Sequence, residues 1–487
     1  MTRPVHPDLR RGSLILLLIA IMAGMAMAAR VAASRQQELR VLICARNMAQ
    51  GGDLLVPEFQ EQTRLRKPPL AYWMAALPMR LAGVTDSPAV ARAPFVFASC
   101  SLLALLGLWG RSLAGGWGGA LAMSLPFASV GWWRHMSLAE TDLPLLAFSS
   151  LAAWSLWRIA AGEDSARRWF VAAAATGLAF LAKGPAAFLP WVAFGVFRLS
   201  GPVAERPRVR RGRLAAALLL SVLLAFSWHL ALWAFRGLSP FSAGQVAADL
   251  PATFTDQTAH HGPWFYYFYT LPKLLLPLGL VLPWILWRSL REARADAGVR
   301  FLLIWLGVVF LLMSLIPSKQ EHYALQMLPA CVLLTARELA RSRPGLSPRL
   351  VFPIMVVAAA LSLAVLAGLP VGRHPALPGF FRSCRPVTDP APLVHVCGIN
   401  SAVFDFYLGR HVHNVDQPMQ AWRRARRGEA VVVAARESDF AAWQTIPAQP
   451  LKVHRTGGMQ GALYVKPGAS FTSNFSSWVR WPSRAGS

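Results

Sequence analysis

Three of the chain's six lysines stand beside chain-breaking steps: Lys67 in "RLRKPPLAYW", Lys183 in "FLAKGPAAF" and Lys319 in "PSKQEHYALQ". A compact ammonium neutralises a phosphate oxygen, and glycine-flanked backbone at a helix end donates N–H groups to it, so Lys183-Gly184-Pro185 suits a phosphate. The same Gly-Pro step also serves an ordinary tight hairpin, and a single lysine near a membrane can simply extend its ammonium to water. Asp142 opens the apolar run "DLPLLAF". It suits a general base or metal ligand opposite the lysines, and equally a helix-start acid that complements the dipole. Glu38 heads the amphipathic stretch "ELRVLICARNM", whose buried residues include Leu39, Ile43 and Met48. His260 and His261 precede the aromatic "GPWFYYFY", an ordinary interface anchor, and two histidines without a third ligand at fixed spacing are a weak metal signal. His322 and Tyr323, just after Lys319, can bind a phosphate or simply end a helix at the surface.

Helices in a bilayer must position these groups. Of 487 residues, 55% are hydrophobic and 15% charged, which is no soluble enzyme of this length. Apolar windows long enough for a ~30 Å hydrocarbon core occur near 13–33, 90–110, 117–134, 143–161, 168–182, 185–200, 214–236, 268–287, 300–316, 322–338 and 350–371. The expectation is an all-α polytopic membrane protein of about eleven transmembrane helices. The first window is long and has no convincing small-residue cleavage site, so it reads as a retained helix.

The net charge of +26 does not indicate nucleic acid, because the arginines fall in short segments between apolar spans. They are topology signals. With a cytoplasmic N-terminus, alternation puts Arg111, Arg158, Arg167, Arg168, the Arg206–Arg213 group, Arg288, Arg291 and Arg337 inside as well. That parity requires residues 68–84 not to cross, and Pro68, Pro69 and Pro78 in so short a stretch agree. The first loop (34–89), the 135–142 turn, Lys183, Lys319 and everything past about 373 then face outward. Cations on that side run against the charge bias and call for an anionic partner.

Taken in order, "ELRVLICARNMAQGGDLLVP", "RKPPLAYW", "TDLPLLAF", "GLAFLAKGPAAFLPW", "HHGPWFYYF" and "SKQEHYALQMLP" resemble the aminoarabinose transferase and protein O-mannosyltransferase superfamily, glycosyltransferase family 39-like proteins with the GT-C fold. The resemblance covers about residues 12–340. It implies a multi-pass protein of the bacterial inner membrane with its active site facing the periplasm, a polyprenyl-phosphate-linked sugar donor, and transfer to an envelope lipid or protein. It further implies Glu38 and Asp142 as catalytic carboxylates, Lys67, Lys183, Lys319 and Tyr323 at the donor phosphate, and Arg40, His260, His261 and His322 on substrate. Two positions depart from the family pattern: Gln37 replaces the usual first-loop Asp ahead of Glu38, and Arg66 replaces an acid before the Lys-Pro step. No metal ligand set is assigned, and a divalent metal is left open. An inactive relative, or a binding protein or transporter on the same frame, is the alternative; the nearly apolar mid-span positions speak against a transporter.

Beyond the transmembrane glycosyltransferase domain (1–372), the strand-like "LVHVCGI", "EAVVVAAR" and "GALYVKP", with helix-like segments between them, predict a small periplasmic α/β domain over 373–467 and a flexible tail over 468–487. Cys44, Cys100 and Cys331 read as core fillers, while Cys384 and Cys397 could pair in an oxidising compartment.

Overall fold

The computed structural model describes residues 7–33, 35–201, 209–239, 262–316, 319–342, 394–397, 401–414, 430–436, 452–456 and 459–464. The chain divides into two compact units, Met1–Pro375 and Ala376–Ser487. In the first, α1 (Pro7–Arg30) leads to α2 (Gln36–Ala49), a two-stranded hairpin of β1 (Glu58–Phe59) and β2 (Gln62–Thr63), and α3 (Leu70–Ala82). At 13 residues α3 is only about 20 Å long, too short for a ~30 Å core. Pro69 caps its start and Gly83, at φ +64°, ends it.

The windows at 90–110 and 117–134 form one element, α4 (Pro88–Ser124), which doubles back at Ala114 and Gly115. Gly115, at φ +69°, supplies the turn, and Gly107, Gly110, Gly118 and Gly119 let the two arms approach backbone to backbone. A short 3-10 turn (Leu125–Ala128) and the six-residue α5 (Val130–His135) follow. Next come α6 (Asp142–Ala160), α7 (Ala166–Lys183), α8 (Leu189–Ser200) and α9 (Arg211–Arg236).

Two expected spans are interrupted. The 268–287 window is α10 (Tyr266–Leu274), a bend, and α11 (Leu282–Glu292), because Pro272, Pro277 and Pro283 each remove a backbone donor. After α12 (Ala297–Leu315), the 322–338 window begins as a 3-10 helix (Glu321–Met327) and becomes α13 (Leu328–Ser342) only afterwards. Among the described residues four helical segments are long and apolar enough to cross a membrane: Pro88–Ala128, Asp142–Ala160, Arg211–Arg236 and Ala297–Leu315. The 350–371 window lies outside the described residues.

Both ends of the helices carry ion pairs, of different character. At one end Glu163 meets Arg158 and Arg168, Asp164 meets Arg213, and Arg337 bridges Glu292 (2.8 Å) and Asp296 (2.6 Å). The opposite end gathers Lys67, Asp142, Lys183 and the Glu321–Met327 turn.

In the second unit a five-stranded mixed sheet has the order β4-β3-β5-β7-β6, built from β3 (Val394–Cys397), β4 (His413–Asn414), β5 (Ala430–Arg436), β6 (Lys452–Thr456) and β7 (Met459–Tyr464). Helix α14 (Ser401–Leu408) joins the parallel pair β3 and β4. Cys384, the Cys397 side chain and the 468–487 tail lie outside what is described.

Candidate active site

Asp142 and Lys183 are far apart in sequence but adjacent in space, because α6 begins where the antiparallel α7 ends. Their side chains form a hydrogen-bonded ion pair. Gly184, at φ +92°, turns the chain immediately after Lys183, a conformation that favours glycine. Asp142 is 2% exposed, and its second oxygen, Oδ2, has no hydrogen-bond partner; His322 Nε2 approaches it to 3.8 Å. The Tyr323 ring lies 4.6 Å from Lys183 Nζ, a cation–π contact, and packs edge-on against His322. Burial lowers the His322 imidazole to about 4, with Lys183 adding to the effect and Asp142 opposing it, so the ring is neutral at pH 7.

Lys67 reaches the same cluster from the step before α3. Burial first, then the charge of Lys183, bring its ammonium down to about 8; Arg64 and Arg40 push the same way and Asp142 opposes. Arg40, on α2, is itself lowered by burial and by Arg64 and Arg66, and its Nε has no hydrogen-bond partner. Among the described residues Lys67 and Arg40 have no anionic partner in contact. Three further cations, Lys183, Arg64 and Arg40, therefore act on Lys67, with Asp142 opposing them, an arrangement that suits an incoming anion.

Two expected site residues have other partners. Glu38 is fully buried, and both its oxygens receive Arg92 of α4, at 2.6 and 2.7 Å, while Ala139 N donates to Oε1 at 3.0 Å. With both oxygens committed, it is a structural clamp instead of an exposed base. Lys319 is 3% exposed, and its ammonium donates to the carbonyls of Met313, Ser314 and Ile316 at the end of α12. All three donors are spent on a helix C-terminus, so Lys319 is not directed at a phosphate in this arrangement. His260 and His261 lie outside the described residues.

Beside the cluster, and sharing His322 with it, lies a cavity of about 580 Å³ lined in part by Arg35, Gln37, His135, Glu140 and Gln320. Here Gln37 Nε2 donates to Gln320 Oε1 at 2.9 Å, in place of the acid usual at its position. Glu140 accepts from Arg35 at 3.2 Å and contacts His135 Nδ1 at 3.3 Å. Burial raises the Glu140 carboxyl, but the hydrogen bond and charge of His135, with Arg35, outweigh it and hold the group at about 2. Sequence reasoning did not single out Arg92, His135 or the function of Glu140. A lone arginine near the head of an apolar helix, and the run "RHMSLAETD", were the available signals. Among the described residues no three His, Cys, Asp or Glu side chains converge as metal ligands.

The helical frame matches solved GT-C structures. ArnT from Cupriavidus metallidurans bound to undecaprenyl phosphate superposes with a TM-score of 0.70 over 92% of this chain and 97% of that one, at 16% identity. The archaeal oligosaccharyltransferase AglB from Archaeoglobus fulgidus gives 0.59 over 89% and 71%, at 10% identity. This is the GT-C fold. Residues 66–233 match the dolichyl-phosphate-mannose-protein mannosyltransferase family. An undecaprenyl phosphate-α-4-amino-4-deoxy-L-arabinose arabinosyl transferase of Pseudomonas savastanoi is 24% identical over 61% of this chain and 56% of its own length, and a second from Pseudomonas fluorescens is 25% identical over 62% and 55%. The chain is thus similar to GT-C membrane glycosyltransferases, in fold over most of its length and in sequence over residues 66–233. It spans about half the length of the curated relatives it matches.

Proposed function

We propose that the protein transfers a sugar from a polyprenyl-phosphate-linked donor to an envelope acceptor, a lipid A-like lipid or a protein, on the periplasmic face of the bacterial inner membrane. The observation that carries this reading is the cluster of cations at Lys67: Lys67 and Arg40 without a contacting anion among the described residues, Arg64 beside them, and Lys183 paired with Asp142. Relatives named as undecaprenyl phosphate-linked aminoarabinose transferases, and the ArnT structure bound to undecaprenyl phosphate, support the donor class.

The leaving group in such a transfer is a lipid phosphate, which gains negative charge as the sugar–oxygen bond breaks. Cations fixed in advance around it lower that barrier without reorganising, and a partly buried site makes each of them worth more than in water. Asp142 keeps Lys183 in place and faces His322, so it organises the cluster from below. Lys67 sits at the Pro-Pro step because that step ends the first loop and starts a helix too short to cross, holding the ammonium at the membrane surface where a lipid phosphate lies. The test is binding of undecaprenyl phosphate to the purified protein in nanodiscs. Wild type is expected to bind it, Lys67→Ala to lose at least about tenfold in affinity for one charge-assisted contact, and Lys67→Arg to retain part of it. Unchanged affinity in Lys67→Ala would remove the cluster as the donor site.

A further inference from the structure

We propose that the acceptor group is a hydroxyl, seated in the cavity beside the cation cluster, and that His135, held by Glu140, is the base that takes its proton. The inference rests on the glycosyltransferase reading and deepens it, because it names the acceptor chemistry and the residue that activates it.

The first support is the charge of the cavity. Arg35 is paired with Glu140 at 3.2 Å, Arg134 with Glu321 at 2.9 Å, and Lys319 is bound to backbone carbonyls. Each cation lining the cavity already has its partner, in contrast to Lys67 and Arg40 on the other side of Asp142. A second phosphate would find no uncommitted cation among the described lining residues, whereas a polyhydroxyl compound would find amides, carboxylates and ring nitrogens.

The second support is the His135–Glu140 pair. Glu140 is ionised and can only accept, so His135 Nδ1 carries the hydrogen between them. In the neutral ring the lone pair is then on Nε2, which has no hydrogen-bond partner among the described residues although the side chain lines the cavity. This is the arrangement in which a carboxylate fixes the tautomer and steadies the imidazolium that forms. The charged and titratable groups around this ring are Glu140 from the turn before α6, Arg134 on its own helix, Arg35 before α2, Tyr266 at the head of α10, Lys319 after α12, Glu321 and His322 from the 3-10 turn, and Asp142 at the head of α6. His322 is the rival base, but its low basicity and its position against Asp142 make it a poorer proton acceptor. Gln37, which cannot accept a proton, stands where the family has its acid, and His135 lines the same cavity.

In the step itself the acceptor oxygen bonds to the anomeric carbon, its proton moves to His135 Nε2, and the bond from that carbon to the donor phosphate oxygen breaks. The electron pair leaves on the polyprenyl phosphate, among Lys67, Arg40 and Lys183.

The experiment compares envelopes from cells carrying the gene, lacking it, and complemented with full-length variants. Mass spectrometry finds the species that loses a sugar-sized mass in the deletion, and fragmentation shows whether that sugar was on a hydroxyl or a phosphate. A hydroxyl linkage is expected; a glycosyl phosphate linkage would overturn the proposal. Transfer in membranes from His135→Asn cells is expected to be about 100-fold slower, as for loss of a general base. The purified variant should keep wild-type affinity for undecaprenyl phosphate. Imidazole added to His135→Ala membranes should restore part of the rate, which a structural defect would not allow. Glu140→Gln, which keeps the shape, should lower kcat while leaving affinity for undecaprenyl phosphate at the wild-type value. Wild-type rate in His135→Asn would overturn the base. No mass lost in the deletion, with no binding of undecaprenyl phosphate by the wild-type protein, would instead sink the glycosyltransferase reading, and the base with it.

Discussion

At the scale of the residue, Lys67 makes donor binding depend on pH in a direction that can be stated. Its ammonium titrates at about 8 before any phosphate arrives, and a bound phosphate favours the charged form. Affinity for undecaprenyl phosphate should therefore be level below about pH 8 and fall above it by roughly tenfold per pH unit, until the proton is also lost from the complex. Isothermal titration in nanodiscs from pH 6.5 to 9.5 reads this, and Lys67→Arg, whose guanidinium stays charged, should flatten the curve. That Lys67, Lys183 and Asp142 lie together was legible in the sequence, because lysine is scarce and each of the three lies at a break between apolar runs. Glu38 looked equally chemical and is not free, since its partner lies 54 residues away on another helix and no local spacing reveals it. His135 and Glu140 sit five apart in a segment whose periodicity says nothing, and only the packing of the turn brings the ring onto the carboxylate.

Elements explain how the site keeps its shape. The Glu38–Arg92 pair joins α2 to α4 inside the membrane-proximal core, and Arg92 also donates to the carbonyls of Ala28 and Val31 at the end of α1. Removing one partner strands a buried charge. Glu38→Ala should lower stability by about 3 kcal/mol or more, seen as a lower melting temperature in detergent, while any folded fraction binds undecaprenyl phosphate normally. Loss of turnover at unchanged stability would return Glu38 to the chemistry. Lys319 works in the same way one turn from His322, closing the carbonyl end of α12. The 268–287 stretch was read as one continuous span although Pro272, Pro277 and Pro283 stood in it, because its apolar content outweighed them. The close approach of Gly131 to Leu274, which seats α5 against α10, was not foretold, since nothing near Gly131 in sequence signals a partner so distant.

For the whole molecule, the separation of its two charged ends is the property to test. Pairing of Arg158, Arg168 and Arg213 with Glu163 and Asp164 marks one end, and the cation cluster marks the other. With the arginine-rich end cytoplasmic, an impermeant maleimide should label Gln62→Cys in intact spheroplasts and reach Ala166→Cys only after permeabilisation. Both positions are exposed, and Cys44, Cys100 and Cys331 are buried free thiols, so the parent protein corrects for the remaining cysteines. Labelling in the reverse order would put the candidate site on the wrong side for an envelope acceptor. The apolar windows conveyed the long apolar helices, but a doubled-back helix and two broken spans depend on prolines and glycines whose effect is set by what packs against them.

The doubled-back α4 bears on how the protein is made. Its arms touch through glycines, with Gly118 against the backbone of Gly110 and Gly119 against Gly107, so the hairpin closes on contacts contained entirely within one short piece of chain. Such a hairpin can lock as it leaves the insertion machinery, before the later helices have been synthesised, and can then serve as the template on which they assemble. A bulky residue at Gly118 is for that reason a biogenesis lesion: fewer molecules should reach the membrane, and those that arrive should turn over at the ordinary rate.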